Sequence, residues 1–337
     1  MKILLLAAGG ALAFAQSWAP QTSHTTATLR GIAAVSDQVV WASGTAGTWL
    51  RTTDGGSTWR PAVVAGAEAL DFRGVQTLDG RTAWLMSSGA GEQSRIYQTL
   101  DAGEHWKLLF TNPDPNGFFN ALAFRDARHG VLAGDPVDGR MTVFTTDDGG
   151  RHWSRQRTPP ALPEEGSFAA SNSCLRLAGK SDIWLATGGR GAARIFHSGD
   201  AGRTWKVATT PILNDGPGAG IFSLAFVDTR HGVAVGGDYT KPGQALGNIA
   251  FTADGGLTWA APPGSGPSGF RSAAAWLTNP GLQIVTGPSG SDVSADNGRS
   301  WKRFDDGAYN ALGVFAGRAV WAAGPRGRIA RLSFPNR

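Results

Sequence analysis

Three arginines and a handful of acidic side chains are the groups in this chain best suited to chemistry. Arg30, Arg73 and Arg271 each stand at the head of a short apolar segment, in Leu29-Arg30-Gly31-Ile32, Phe72-Arg73-Gly74-Val75 and Phe270-Arg271-Ser272-Ala273. A guanidinium offers a planar fork of donors that grips a carboxylate or phosphate at two points. Asn120 and Asn310 head similar segments and would add amide donors. The carboxylates are Glu92, Asp135 and Asp138 (Gly134-Asp135-Pro136-Val137-Asp138-Gly139), the pair Glu164 and Glu165, and Asp238, which Tyr239 follows. Two carboxylates facing each other across a cleft can act as acid and base in glycoside hydrolysis. Loop carboxylates in a basic chain more often stay solvated or pair with arginine.

Other chemistries have less to stand on. His105 and His152 occupy one variable position of a repeated turn. His129 and His231 lie in the matching turns Arg128-His129-Gly130 and Arg230-His231-Gly232. A histidine repeated at one turn position reads as structural. No His/Cys/Asp spacing suggests zinc, and no Asp-rich loop has calcium-site spacing. No Gly-rich loop joins a strand to a helix, so a nucleotide fold is unsupported and no cofactor is expected. Cys174, the lone cysteine, lies in Asn172-Ser173-Cys174-Leu175, which reads as strand, and is expected to be a buried structural thiol.

The elements that must position these groups are set by a repeat. Ser/Thr-x-Asp-x-Gly-x-x-Trp, the Asp-box pattern, recurs six times, with its carboxylates at Asp54, Asp101, Asp148, Asp200, Asp254 and Asp296. Successive aspartates are 47, 47, 52, 54 and 42 residues apart, the spacing of one four-stranded propeller blade. In each turn the carboxylate can accept backbone N–H groups, the Gly permits positive φ, and the Trp heads the next strand. One role repeated in every blade is scaffolding, not catalysis.

Seven strand-like segments precede or stand in for these turns: 39–43, 83–87, 131–135, 183–187, 233–237, 283–287 and 319–323. The seventh has no Asp-box after it. Its partner is found at the other end of the chain, where Trp18-Ala19-Pro20 parallels Trp59-Arg60-Pro61. The reading is therefore an all-β, seven-bladed β-propeller whose N-terminal strand closes the last blade. Its blades are 29–63, 70–110, 118–158, 168–211, 220–263, 269–306, and 308–334 with 17–22. Closure removes a long unpaired sheet edge.

Composition agrees. The 337 residues include 48 Gly and 13 Trp, 41% are hydrophobic and 17% charged. That is enough to bury a core, and no helical period is sustained. The net charge of +5 comes without any Lys/Arg run, so nucleic-acid binding is not indicated, and the charge suits an acidic partner. Residues 1–15 read as a signal peptide: Lys2, the apolar run 3–14, then Ala13-Phe14-Ala15. The mature chain would be a single domain over 16–337, periplasmic or secreted, monomeric and without a membrane span. No disulfide is possible within a chain that has one cysteine.

These residues resemble Asp-box (BNR-type) propellers. Over the mature chain they are most similar to bacterial relatives of the plant photosystem II stability/assembly factor. The Thr-x-Asp-Gly-Gly-x-Thr-Trp turns, the seven-blade count and the exported N-terminus carry the similarity. It implies a non-catalytic, exported propeller that binds another protein during assembly or repair. Asp-box folds also include sialidases, which clamp a carboxylate with arginines and use a Tyr nucleophile beside a Glu. Arg30, Arg73 and Arg271 could imitate the clamp. However, the chain has only Tyr97, Tyr239 and Tyr309, and seven blades depart from the six of that fold.

In a propeller the starts of the inner strands and the loops between second and third strands share one face, opposite the Asp-box turns. Arg30, Arg73, Asn120, Ala169, Phe222, Arg271 and Asn310 are the equivalent inner-strand starts. Once the ring closes, Arg271, Asn310, Arg30 and Arg73 follow one another, and they are expected to line one arc of the funnel. Arg73→Ala and Arg271→Ala should then weaken an anionic ligand without lowering the melting temperature. The expected function is binding of a partner protein or anionic ligand on this face. The alternative is a glycan-acting hydrolase or lyase of sialidase-like type, which would need a deep pocket with two converging carboxylates.

Overall fold

The structure is a computed structural model that describes residues 16–334. The residues of the expected signal peptide lie outside the described residues. Seven antiparallel sheets follow one another around a central channel: six have four strands and one has three. The three-stranded sheet is blade five, whose place for a fourth strand holds only a two-way Phe251–Ala260 backbone bridge. The one helical element among the described residues is a 3-10 turn, Gly91–Gln93.

Ring closure follows the expected route. Ser17–Gln21 pairs antiparallel with Ile329–Ser333, with Trp18 opposite Leu332, and forms the outer strand of blade seven. The Trp18 ring is buried, and its Nε1 donates to Ser291 Oγ of blade six at 2.9 Å. The second strands fall where the sequence places them. Ala83–Ser87 and Ala319–Ala323 match residue for residue, and the other five differ by a few residues at their ends. They carry Trp41, Trp84, Trp184 and Trp321, which are fully buried. Trp84 Nε1 donates to Gly149 O and Trp184 Nε1 to Gly255 O, so these two indoles hold the aspartate turn of the next blade. Burying rings of this size between sheets is the main source of blade-to-blade cohesion.

The aspartate turns repeat one hydrogen-bond pattern. In the first, Thr52 Oγ1 donates to Asp54 Oδ1 at 2.8 Å and accepts Gly56 N–H at 2.9 Å, while Thr58 donates its N–H and its hydroxyl to the same carboxylate. Gly56 has φ +92°, a conformation side chains rarely adopt. His105 and His152 replace the Thr in two turns and donate from their backbone N–H in the same way. The donors hold the Asp54 carboxyl down at about 2, and those of Asp101 and Asp148 lower still.

Blade four departs from expectation. Its inner strand is Leu175–Ala178, starting seven residues later than the 168 read from the sequence. The chain before it enters the channel and bonds to four other blades. Ala169 O accepts Arg73 Nη1 of blade two (3.4 Å). The Asn172 amide pairs with both backbone groups of Leu122 in blade three (2.7 and 2.9 Å). Ser173 Oγ donates to Ser223 Oγ in blade five, and Ser171 Oγ to Ser272 O in blade six. Asn172 takes φ +60°, which Asn tolerates better than most residues. Residues 169–173 thus plug the channel, and Cys174 is buried directly after them.

Candidate functional site

On the face opposite the aspartate turns, four inner strands begin with the same irregularity. The register with the second strand shifts between Leu29 and Gly31, Phe72 and Gly74, Phe119 and Ala121, and Ile221 and Ser223. The residues skipped are Arg30, Arg73, Asn120 and Phe222, four of the positions aligned from the sequence. A bulged residue leaves the ladder and its side chain is re-aimed. Gly follows both arginines because the fold closes around that point: a Cβ on Gly31 would lie 2.5 Å from Ser43 Oγ, and one on Gly74 2.7 Å from Asn172 Oδ1.

Arg30 and Arg73 share one carboxylate. Asp71 Oδ2 accepts Arg73 Nε at 2.8 Å and lies 3.6 Å from Arg30 Nε. All three side chains are about a quarter exposed. Two guanidiniums on one carboxylate leave a surplus positive charge at the mouth of the channel. Arg30 Nε and Asp71 Oδ1 are buried without a hydrogen-bond partner. Burial, then the neighbouring Arg73 charge, push the Arg30 pKa down. The Arg73 guanidinium also lies over the Phe118 ring, 5.8 Å from its centre. Asp71 and Phe118 were not singled out from sequence, although an Asp two residues before a bulged Arg is a usable signal.

Arg271 does not belong to this arc. Its side chain is fully buried and turned into blade six, where Nε donates to Asp292 Oδ2 at 2.7 Å and Nη2 forms a second, shorter bond to the same oxygen. Phe270 O, Ser289 Oγ and Ser268 Oγ take its remaining donors. The physical reason is that the inner strand of blade six has no bulge: its pairing with the second strand runs unbroken from Ala273 opposite Thr286, so nothing re-aims the preceding side chain toward the channel. Asn310 donates from Nδ2 to Leu29 O and ties blade seven to blade one. Ala169 lies in the plug and heads no strand.

The acidic residues are dispersed and mostly committed. Glu165 is buried, bonded to Arg194 Nε at 2.9 Å and Thr187 Oγ1 at 2.6 Å. Asp238 is buried, taking both Thr240 donors and the Lys241 ammonium. Asp135 accepts Asn120 Nδ2 at 2.7 Å and Ser167 N–H at 3.0 Å, and burial pushes its pKa up. Asn120 Oδ1 is left unpartnered beside it. Glu92 is exposed on the 3-10 turn, and Asp138 is exposed at φ +51° in a tight turn. Tyr239 is 54% exposed and sits edge-on to Phe168 and Phe222, whose rings stack at 3.8 Å. No two free carboxylates face each other among these residues. Among the described residues, no group of three or more His, Cys, Asp or Glu could hold a metal ion. No helix there is long and apolar enough to cross a membrane.

The fold and this face define a seven-bladed β-propeller with a cationic channel mouth on one side and aspartate turns on the other. No protein-family model matches the chain. It is 28% identical over 114 residues to the chloroplast photosystem II stability/assembly factor HCF136 of Arabidopsis thaliana, a match covering 33% of this chain and 26% of that protein. The match therefore spans about a quarter of that relative's length. Among solved structures, the chain superposes on YCF48 bound to D1 peptide with a TM-score of 0.66 at 17% identity, covering 94% of this chain and 96% of that one. It also superposes on YCF48 from Cyanidioschyzon merolae with a TM-score of 0.62 at 16% identity, covering 94% and 98%. These similarities establish the seven-bladed fold and a weak sequence relation to the assembly factor.

Proposed function

We propose that this chain is an exported, non-catalytic Asp-box propeller that binds an acidic segment of a partner protein on the Arg30/Arg73 face. The observation that carries this reading is the two-to-one ratio of guanidinium to carboxylate at Arg30, Arg73 and Asp71, set on bulges at the channel mouth. Two fixed, partly buried cations sharing one carboxylate favour an incoming carboxylate over bulk water. Exposed Tyr239, Leu246 and Leu162 add apolar surface in the loops of the blade-four and blade-five side of the ring, a composition suited to a protein surface. The relation to a stability/assembly factor, and to a propeller solved with a bound peptide, lends support. Export rests on the sequence of residues 1–15. The hydrolase alternative loses ground because Glu165, Asp238 and Asp135 are each held by their own partners.

The test is fluorescence anisotropy of labelled acidic peptides against the wild type, Arg30→Ala and Arg73→Ala. Losing one charged contact should weaken binding by roughly 10-fold or more, on the order of 1.5–3 kcal/mol for a charge-assisted bond. Binding that is unchanged in both variants would remove this face from the function.

A further inference from the structure

Below the plug, the channel opens on the aspartate-turn face as a cavity of about 560 Å³ lined by inner-strand residues of all seven blades. Most of its lining side chains are small or apolar, including Ala123, Ala274, Trp276, Leu312 and Val314, while polar and backbone groups supply more than half of its exposed surface. The plug residues Ser171–Ser173 form part of its lining. One lining residue is charged: Arg176, on the blade-four inner strand. Its Nε donates to Leu224 O at 2.6 Å. Its two terminal amino groups have no hydrogen-bond partner among the described residues. No carboxylate there lies within ion-pair distance, in contrast to the buried Arg271 and to Arg194. Burial in the channel pushes the Arg176 pKa down. The Gln76 amide and the Thr278 hydroxyl also line the cavity without a hydrogen-bond partner among the described residues.

A guanidinium partly buried at the wall of a channel with no counter-charge is incompletely solvated, and an incoming anion would supply the missing charge. The volume matches that of small-molecule pockets. From the unpaired Arg176 guanidinium at the wall of this cavity, we infer that the lower channel is a binding site for a small organic anion. That anion carries one carboxylate or phosphate group on an apolar body. Arg176 would take the anionic group bidentately. Gln76 and Thr278 would bond polar substituents, and the alanine and leucine walls would cover the apolar part. This site is on the opposite side of the plug from Arg30 and Arg73, and so is separate from the partner-binding face.

The experiment is isothermal titration of the full chain with benzoate, hexanoate, phenyl phosphate, inorganic phosphate and the neutral control benzamide. It is run on the wild type, Arg176→Met and Arg73→Ala. Saturable binding of an organic anion by the wild type and Arg73→Ala, at least 10-fold weaker in Arg176→Met and absent for benzamide, is the expected result. Failure of every anion to bind, or equal binding by Arg176→Met, overturns the proposal. So does binding of inorganic phosphate as tight as that of the organic anions, because the apolar wall would then have no role. Should Arg176→Met fold poorly, protection of Arg176 from phenylglyoxal, read by peptide mass spectrometry with and without the anion, decides in the wild type. Unchanged modification overturns the inference. Loss of peptide binding in Arg73→Ala with channel binding intact would separate this site from the partner face.

Discussion

Replacing Arg271 by Ala should destabilise the protein strongly, contrary to the sequence expectation that the change would leave the melting temperature alone. The structure buries the guanidinium completely, and Asp292 beside it is 1% exposed. Removing one partner leaves the Asp292 carboxylate buried and robs Ser268 Oγ, Ser289 Oγ and Phe270 O of a donor. Breaking a buried pair in this way costs about 3–5 kcal/mol. At an unfolding entropy of about 2.1 cal/mol/K per residue, a propeller of this length loses roughly 0.7 kcal/mol per degree near its midpoint, so the melting temperature should fall by about 4–7 °C. Arg73→Ala removes a pair that is about a quarter exposed and should cost under about 1 kcal/mol, or less than about 2 °C. The assay is differential scanning calorimetry at pH 7 on wild type, Arg271→Ala, Arg73→Ala and the double change Arg271→Met/Asp292→Leu. The double variant should recover most of the loss, because two apolar side chains of similar size replace two charges. The reasoning fails if Arg271→Ala melts within a degree or two of wild type, or if Arg73→Ala falls as far.

Two other predictions follow from the scaffold. Trp18→Ala should cost about 3–5 kcal/mol, as removal of a buried indole does, because it also severs the Ser291 bond across the closing blade; deletion of residues 16–22 should be worse and expose an edge that aggregates, read by light scattering during a thermal ramp. The turn carboxylates of Asp54, Asp200 and Asp254 are held near 2, below their ordinary 3.8. A depressed acid pKa gives stability that is complete above the unfolded value and lost as pH falls toward the folded one, so the contribution of these turns is lost, and the melting temperature should drop, as pH falls from about 4 to about 2.

The blades were legible because each repeats the same local physics. A tight turn needs a Gly at positive φ, a carboxylate for its N–H groups and a Trp to cover it, and these occur together six times. Ring closure was legible for the same reason, since Trp18 carries half of the repeat without its turn. The site was only partly so. Aligning strand starts found Arg30 and Arg73 because their blades share a bulge. The same alignment misplaced Arg271 because the inner strand of blade six lacks one, and a register shift of one residue decides whether a side chain enters the channel or the sheet. Asp71 pairs across two blades, a contact that spacing along the chain does not encode. The plug was hidden because its residues bond to backbone and side-chain groups on four different blades. Its trace in the sequence was a polar Ala-Ser-Asn-Ser run where other blades have an apolar strand start.

The plug has a mechanical consequence. A ring of sheets with an open centre can ovalise, each blade sliding on its neighbours while pairing within sheets is kept. Residues 169–173 act as a hub with spokes to blades two, three, five and six. Flattening the ring along any axis must stretch at least one of those bonds. The hub also couples the two mouths: Arg73 bonds to it from one side, and Ser171–Ser173 line the cavity on the other. A load applied at one mouth is therefore borne by the floor of the other.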